Sequence, residues 1–408
     1  MRILFSLICA FFFSNVAAQN SLDVDFQKLQ ADVVYLASDY LEGRETGKKG
    51  AIAAANYIAA RFGELGLSPK GAETSFFQTF DFTYAPNQNA TSAREAKTGR
   101  NVIAYLDNQA PTTVIIGAHF DHLGRGAHGS RFSDGSVIYN GADDNASGVA
   151  GLLYLAKQLK ASPSKKHNYL FIAFSAKEMG LTGSKYFVNN PTIEMSKVSY
   201  MLNLDMVGRL RAEKGLTING AGTSPAWKKS FQHIQTGNLK ITTEDSGVGD
   251  FDHAPFYQAD LPVLHFFTGN HIDYHKPGDD SEKINYEGIR TIAHWMQELI
   301  EKMPLTGKLP FTKTEDASEK KAANYRVTLG VMPDYGFQNG GMRIEAVLDG
   351  RPAQKGGLED GDVIVKMDDL DVKNIYDYMD GLSTFKRGQT VKVKVKRGNQ
   401  EIEKEVTL

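Results

Sequence analysis

The sequence predicts an α/β domain with a mostly parallel sheet, joined through a polar stretch to a small β-rich domain. Three observations lead there. Apolar runs of strand length alternate with helical stretches as far as about Met303. Between Leu305 and Ala323, Lys, Glu, Thr, Ser and Pro replace that rhythm. Histidines and carboxylates collect where the apolar runs give way to loops.

Two amphipathic helices come first, about Val24–Ala37 and Ala51–Leu67, the second with Gly66 as its C-cap. Strands are expected at Asn101–Leu106, Thr113–Ala118, Tyr169–Ser175, Ser199–Met206 and Pro262–Phe267, with helices at Ser147–Leu159 and Tyr286–Lys302. The unbroken apolar character of these strands suits a sheet covered on both faces. Alternation with helices argues for a parallel arrangement, and such sheets build their sites at the carboxyl ends of strands. After the polar stretch, residues 305–323, short strands are expected at Tyr325–Val331, Met342–Val347, Asp362–Met367, Thr390–Arg397 and Gln400–Leu408. The last two form a hairpin through Gly398-Asn399, and short helices lie near Pro352–Lys355 and Ile375–Leu382.

At 408 residues the chain has room for two or three domains. Its 46 Lys plus Arg nearly balance its 48 Asp plus Glu, so nothing points to nucleic acid. Residues 1–18 read as a secretory signal: Arg2, an apolar stretch from Ile3 to Phe13, then the small-residue cleavage site Val16-Ala17-Ala18. That stretch is too short to cross about 30 Å of hydrocarbon, and no later segment is apolar enough to span a membrane. The only cysteine, Cys9, lies inside the signal. A mature protein without thiols must build its chemistry on His and carboxylate, and a secreted or periplasmic setting is expected.

Five candidate metal ligands follow in order. They stand in the phrases Gly117-Ala118-His119-Phe120-Asp121, Gly141-Ala142-Asp143-Asp144-Asn145, Glu178-Met179-Gly180-Leu181, Asn203-Leu204-Asp205-Met206 and Asp273-Tyr274-His275-Lys276-Pro277. A lone His or Asp is usually structural or solvated. Two imidazoles and three carboxylates at strand ends are instead the donor set of two zinc ions sharing one carboxylate and one water. Asp144 is the candidate bridge, with His119 and Asp205 on one metal and Glu178 and His275 on the other. Asp121 is placed to orient the His119 ring. Tyr274 either donates to a developing oxyanion or simply packs.

From about Ser21 to Met303 the chain resembles the secreted two-zinc aminopeptidases of metallopeptidase clan MH. The likeness extends to Ala37-Ser38-Asp39, Glu42-Gly43-Arg44-Glu45-Thr46-Gly47 and Asp252-His253-Ala254. It implies a central mixed sheet flanked by helices, peptide substrates cut at the N-terminus, two zinc ions, and metal-binding roles for His119, Asp144, Glu178, Asp205 and His275. It also implies that Asp121 orients His119. One departure stands out. The resemblance places a second Glu directly before the metal-binding Glu, where it moves the proton from water to the leaving amine. This sequence has Lys177 there. A protonated lysine cannot accept that proton. Either Lys177 is neutral and acts as the base, or Asp250 or Asp252 substitutes, or the site binds metal and peptide with little turnover. A cyclising acyltransferase of the glutaminyl-cyclase type is a remoter alternative on the same scaffold.

Residues 324–408 resemble a bacterial protease-associated PDZ domain, on the strength of Leu329-Gly330-Val331, Gly350-Arg351-Pro352-Ala353 and Gly357-Leu358-Glu359-Asp360-Gly361-Asp362. The resemblance implies that the loop Leu329, Gly330, Val331 offers backbone N–H groups to the C-terminal carboxylate of a peptide ligand. The alternating Val391–Lys396 run is expected to be a two-faced strand whose lysines guard a sheet edge.

Overall fold

The computed structural model describes residues 24–84, 95–126, 130, 137–234, 237–303, 307–314, 327–333, 340–348, 350–373, 375–398 and 400–408. The segment expected to be a signal lies outside these residues. Among the described residues no helix is long and apolar enough to cross a membrane.

The first domain is a mixed sheet of nine strands: β1 (Ser68–Pro69), β2 (Phe77–Tyr84), β3 (Glu95–Leu106), β4 (Thr113–His119), β5 (Asn168–Phe174), β6 (Val198–Leu204), β7 (Leu216–Asn219), β8 (Ile241–Glu244) and β9 (Val263–Phe267). The order is β1-β3-β5-β4-β6-β9-β7-β8, with β2 paired to β3. Its centre, β5-β4-β6-β9, is wholly parallel. Antiparallel neighbours flank it: β3 beside β5, and β7 beside β9. The parallel centre is the part read from the apolar runs. The strand expected at Asn101–Leu106 is the carboxyl-terminal half of β3; the rest of β3, its partner β2 and the short β1, β7 and β8 are additions, too half-buried or too short to show as apolar runs.

Every residue of β4, β5, β6 and β9 is buried. The cause is a helical layer on each face. The helix 24–36 (α1), α2 (Lys49–Glu64), α3 (Gly148–Ala161) and α7 (Tyr286–Lys302) cover one face, where Val114, Ile116, Phe171 and Leu202 meet Leu36, Ile58, Leu152 and Ile292 in one core. Ile115, Leu170 and Ile172 point the other way and join Phe187 of α4 (Thr182–Asn189) and Phe256 of α6 (Ala254–Gln258). A period of two thus divides one strand between two cores.

Part of the expected linker is docked. Leu309 is buried in the first core and Phe311 packs in the second. The Thr312 N–H donates to the Thr223 carbonyl, and Tyr257 exchanges hydrogen bonds with Thr314. Residues 307–314 are therefore an extended strap, held by apolar side chains within an otherwise polar stretch.

The second sheet runs β10 (Val331–Pro333), β11 (Met342–Val347), β12 (Val363–Met367), β14 (Thr390–Arg397) and β15 (Gln400–Thr407), with β13 (Leu370–Asp371) on β12. The short helices are α8 (Pro352–Lys355) and α9 (Ile375–Thr384). Of the strand expected at Tyr325–Val331, residues 325 and 326 lie outside the described residues, 327–330 are not strand, and β10 begins at Val331, after the buried Leu329 and the turn at Gly330. The lysine run is also placed differently. β14 lies inside the sheet, and Lys392, Lys394 and Lys396 face Glu405, Glu403 and Glu401 of β15. Cross-strand charge pairing, rather than edge protection, occupies those lysines.

Candidate metal centre

The site sits at the carboxyl ends of the four parallel strands. His119 is the last residue of β4, Glu178 lies in the turn after β5, Asp205 directly follows β6, and His275 comes from the loop after β9. Asp144 lies on the irregular turn that leads into α3. All five candidate ligands meet. His119 Nε2 is 3.3 Å from Asp144 Oδ1 and 3.3 Å from Asp205 Oδ2. His275 Nε2 is 3.1 Å from Asp144 Oδ2 and 3.4 Å from Glu178 Oε1. Asp144 thereby turns one oxygen to each cluster.

Several of these buried donor atoms make no hydrogen bond: His119 Nε2, His275 Nε2, Glu178 Oε1, and both carboxylate oxygens of Asp144 and of Asp205. Unsatisfied buried polar atoms are costly and rare. Atoms bound tetrahedrally at zinc's ordinary 2.0–2.2 Å lie about 3.3 Å from one another. The observed spacings match that edge, so the residues present fit a metal in each cluster.

Asp121 is not where its expected role would put its carboxylate. The His119 Nδ1 partner is the Asp121 backbone carbonyl at 3.1 Å, while the nearest carboxylate oxygen is 3.8 Å away. The carboxylate instead accepts the backbone N–H of Lys177 at 3.0 Å and of Glu178 at 3.2 Å. Asp121 fixes the turn that carries Glu178, and main chain orients the imidazole.

Lys177 is buried, with Nζ 3.8 Å from Asp144 Oδ1, Glu178 Oε2 and Asp205 Oδ2 alike. Burial alone would lower its pKa, but Asp144, Asp205 and Glu178 hold it well above the ordinary lysine range. Burial would likewise raise Asp144, yet Lys177, His119 and His275 keep it well below the usual carboxylate value. Among the substitute bases, Asp250 is exposed, whereas Asp252 is completely buried. Burial pushes Asp252 up to about 7, against the pull of His119. Tyr274 stacks on the His275 ring, with centroids 3.9 Å apart.

Four groups that the sequence reading passed over complete the site. Arg44 is fully buried, and its guanidinium donates to the carbonyls of Phe120 at 2.7 Å, Asn140 at 2.6 Å, Gly141 at 2.9 Å and also Leu36. Burial lowers its pKa to about 10, with Asp144 and Asp121 pulling it back. Asp279 Oδ2 accepts the backbone N–H groups of Asp143 and Asp144 at 2.9 and 3.0 Å. Asn145 ties the Asp144 turn to β6, donating to the Leu204 carbonyl and accepting from Met206 N–H. His122 stands beside Glu178 and Asp144, kept neutral by burial. The signal for Arg44 was in its phrase, since an arginine between glycines and a turn has little reason to be apolar-facing unless it binds carbonyls.

In the small domain, Leu329 is completely buried in the core. The Gly330 N–H is already taken by Thr328 Oγ1 at 3.0 Å, and the Leu329 and Gly330 carbonyls accept from Ala353 and Leu348. Gly330 therefore does not offer a free N–H, contrary to expectation. Its φ of +73° and the Arg351 side chain, 2.2 Å from where a Cβ would stand, still require glycine. Val331 lies on β10, which pairs only with β11 among the described residues and so leaves a sheet edge. Asp362 is held by Arg397 through both carboxylate oxygens, at 2.7 and 2.8 Å.

The parallel-centred α/β sheet, with paired donor clusters at its strand ends, is followed by a separate, smaller β-rich domain. Residues 101–300 match the profile of Peptidase family M28, and residues 314–408 match that of the PDZ domain. The chain carries a peptidase family M28 domain followed by a PDZ domain. Leupeptin-inactivating enzyme 1 of Streptomyces exfoliatus is 29% identical over 274 residues, covering 65% of this chain and 54% of that protein. Aminopeptidase YwaD of Bacillus subtilis is 29% identical over 223 residues, covering 51% and 43%. The chain spans about half the length of these curated relatives. Among solved structures, BSAP, a zinc aminopeptidase from Bacillus subtilis, aligns with a TM-score of 0.53 at 18% identity over 67% of this chain and 94% of that one. Glutaminyl cyclase of Bacteroides thetaiotaomicron aligns at 0.54 and 17% identity, over 69% and 98%. At those identities the likeness concerns the fold.

Proposed function

We propose that this chain is an exported, zinc-dependent aminopeptidase that holds two zinc ions and removes N-terminal residues from peptides. Export rests on the signal-like residues 1–18 and places the protein in the periplasm or outside the cell. The observation that carries the metal reading is Asp144, whose two oxygens belong to two donor clusters. His119 and Asp205 would hold one ion, Glu178 and His275 the other. Zinc there would lower the pKa of water and polarise the scissile carbonyl.

The protein's own groups supply position and proton control. Asp279 holds the Asp144 turn, and Asp121 holds the Glu178 turn. Tyr274 stacks on and steadies His275. Lys177 keeps a proton at Nζ among three carboxylates, so it serves as a charge to be met by an oxyanion or a proton to be given, rather than as an acceptor. That same observation favours a second reading, a metal- and peptide-binding protein with little turnover. The PDZ domain would add a peptide strand at the edge that β10 leaves among the described residues, capturing a C-terminal ligand.

Hydrolysis of aminoacyl-nitroanilides by the full chain, abolished by chelation and restored by zinc, with two zincs bound per chain, is the expected result. Two zincs without hydrolysis would leave the binding protein. One zinc with cyclisation of N-terminal glutamine would establish the glutaminyl-cyclase alternative instead.

A further inference from the structure

We propose that His122 is a sixth protein ligand, placing its Nδ1 on the metal held by Glu178 and His275 and making the two metal positions unequal. The inference rests on the metal reading above. His122 Nδ1 is 3.3 Å from Glu178 Oε1 and 3.7 Å from Asp144 Oδ2. Those are the same two oxygens that His275 Nε2 approaches at 3.4 and 3.1 Å. Four donor atoms thus converge, and their four measured separations all lie near the roughly 3.3 Å edge of a zinc tetrahedron. Among the described residues the other cluster draws three protein donors: His119 Nε2, Asp144 Oδ1 and Asp205 Oδ2.

The ring is built into this place. His122 is only 1% exposed, and neither ring nitrogen makes a hydrogen bond. A buried imidazole without partners is a standing cost unless something binds it. Its backbone N–H donates to the Arg44 carbonyl at 3.3 Å, and Arg44 grips the Phe120 and Gly141 carbonyls on either side. Gly141, at φ +57°, makes room for the ring, since a Cβ there would fall 2.5 Å from His122 Cδ2. The ring meets His275 edge-on, with centroids 5.8 Å apart, as two ligands of one ion do.

Donor count then separates the sites. Four protein donors make the Glu178–His275 position the tighter one, filled first, whereas the three-donor position beside Asp205 retains room for water and substrate.

Cobalt(II) titration of the metal-free full chain, read by proton NMR, tests this. Each ligating imidazole contributes one strongly shifted, exchangeable N–H resonance. The expected count is two after the first equivalent of cobalt and three after the second. In His122→Asn the total should fall to two, and zinc affinity at the tighter position should fall at least the ~10- to 100-fold that loss of an outer partner costs. Two resonances in the fully loaded wild type would overturn the proposal, whether or not the variant folds. Cobalt failing to bind at all would instead remove the metal reading on which it stands. A variant that keeps three resonances would also refute it.

Discussion

The carboxylate of Asp279 receives the backbone N–H of Asp144 at 3.0 Å, so the residue that faces both donor clusters is held from behind by an acid four positions past His275. Asp279→Ala removes that acceptor without touching a candidate ligand. Zinc affinity should drop about 10- to 100-fold, with Asp279→Asn milder because one amide oxygen remains. Competition titration against a zinc chromophore measures it, and unchanged affinity in both variants would show that the turn holds itself.

Lys177→Glu places a carboxylate acceptor where Asp144, Asp205 and Glu178 hold the lysine pKa well above its ordinary range. General-base catalysis contributes roughly 10²- to 10⁴-fold, so kcat on an aminoacyl-nitroanilide should rise at least about tenfold. A large fall would show that the lysine itself carries the chemistry.

Arg44→Ala leaves four carbonyls of the site loops without their donor. A buried acceptor left without its donor costs on the order of 1–3 kcal/mol. Denaturant unfolding of the metal-free protein should report a loss of that size, and Arg44→Lys should recover little, since one ammonium cannot span the carbonyls the planar fork reaches.

Asp252 links stability to pH. Its folded pKa of about 7 exceeds the ordinary value of 3.8. Below the latter, both folded and unfolded chains carry the proton. Between the two values only the folded chain keeps it, so this group's contribution falls as pH rises and is lost above about 7. Asp252→Asn should therefore be relatively more stable at pH 8 than at pH 4.5, by up to about 3 kcal/mol. Urea unfolding of wild type and variant at both pH values, in chelator, checks the sign. A difference of opposite direction would mean the carboxylate is ionised in the fold.

Much of the first domain was legible because a strand covered on both faces must be largely apolar, as β4 to β6 and β9 are. Three of the five candidate ligands, His119, Glu178 and Asp205, were legible for a related reason, as each stands at or just past the end of such a run, whereas Asp144 and His275 were legible from their phrases. His122 was not, since a histidine three residues past another carries no spacing signal until a separate loop brings Glu178 beside it. Asp121 was read with the right neighbourhood and the wrong bond, because sequence does not say whether main chain or side chain reaches a ring. The strap at 307–314 hid in a polar stretch, held by just Leu309, Phe311 and a few hydrogen bonds.

The Arg44 guanidinium has a bearing on where this enzyme-like domain begins. All five candidate ligands fall within residues 101–300, yet the side chain that cinches the Phe120 and Gly141 turns comes from far upstream, next to the end of α1. A fragment trimmed to the matched segment would keep every donor and forfeit the knot that gathers them. Competence to seat metal is therefore a property of the amino-terminal helices as much as of the ligands themselves.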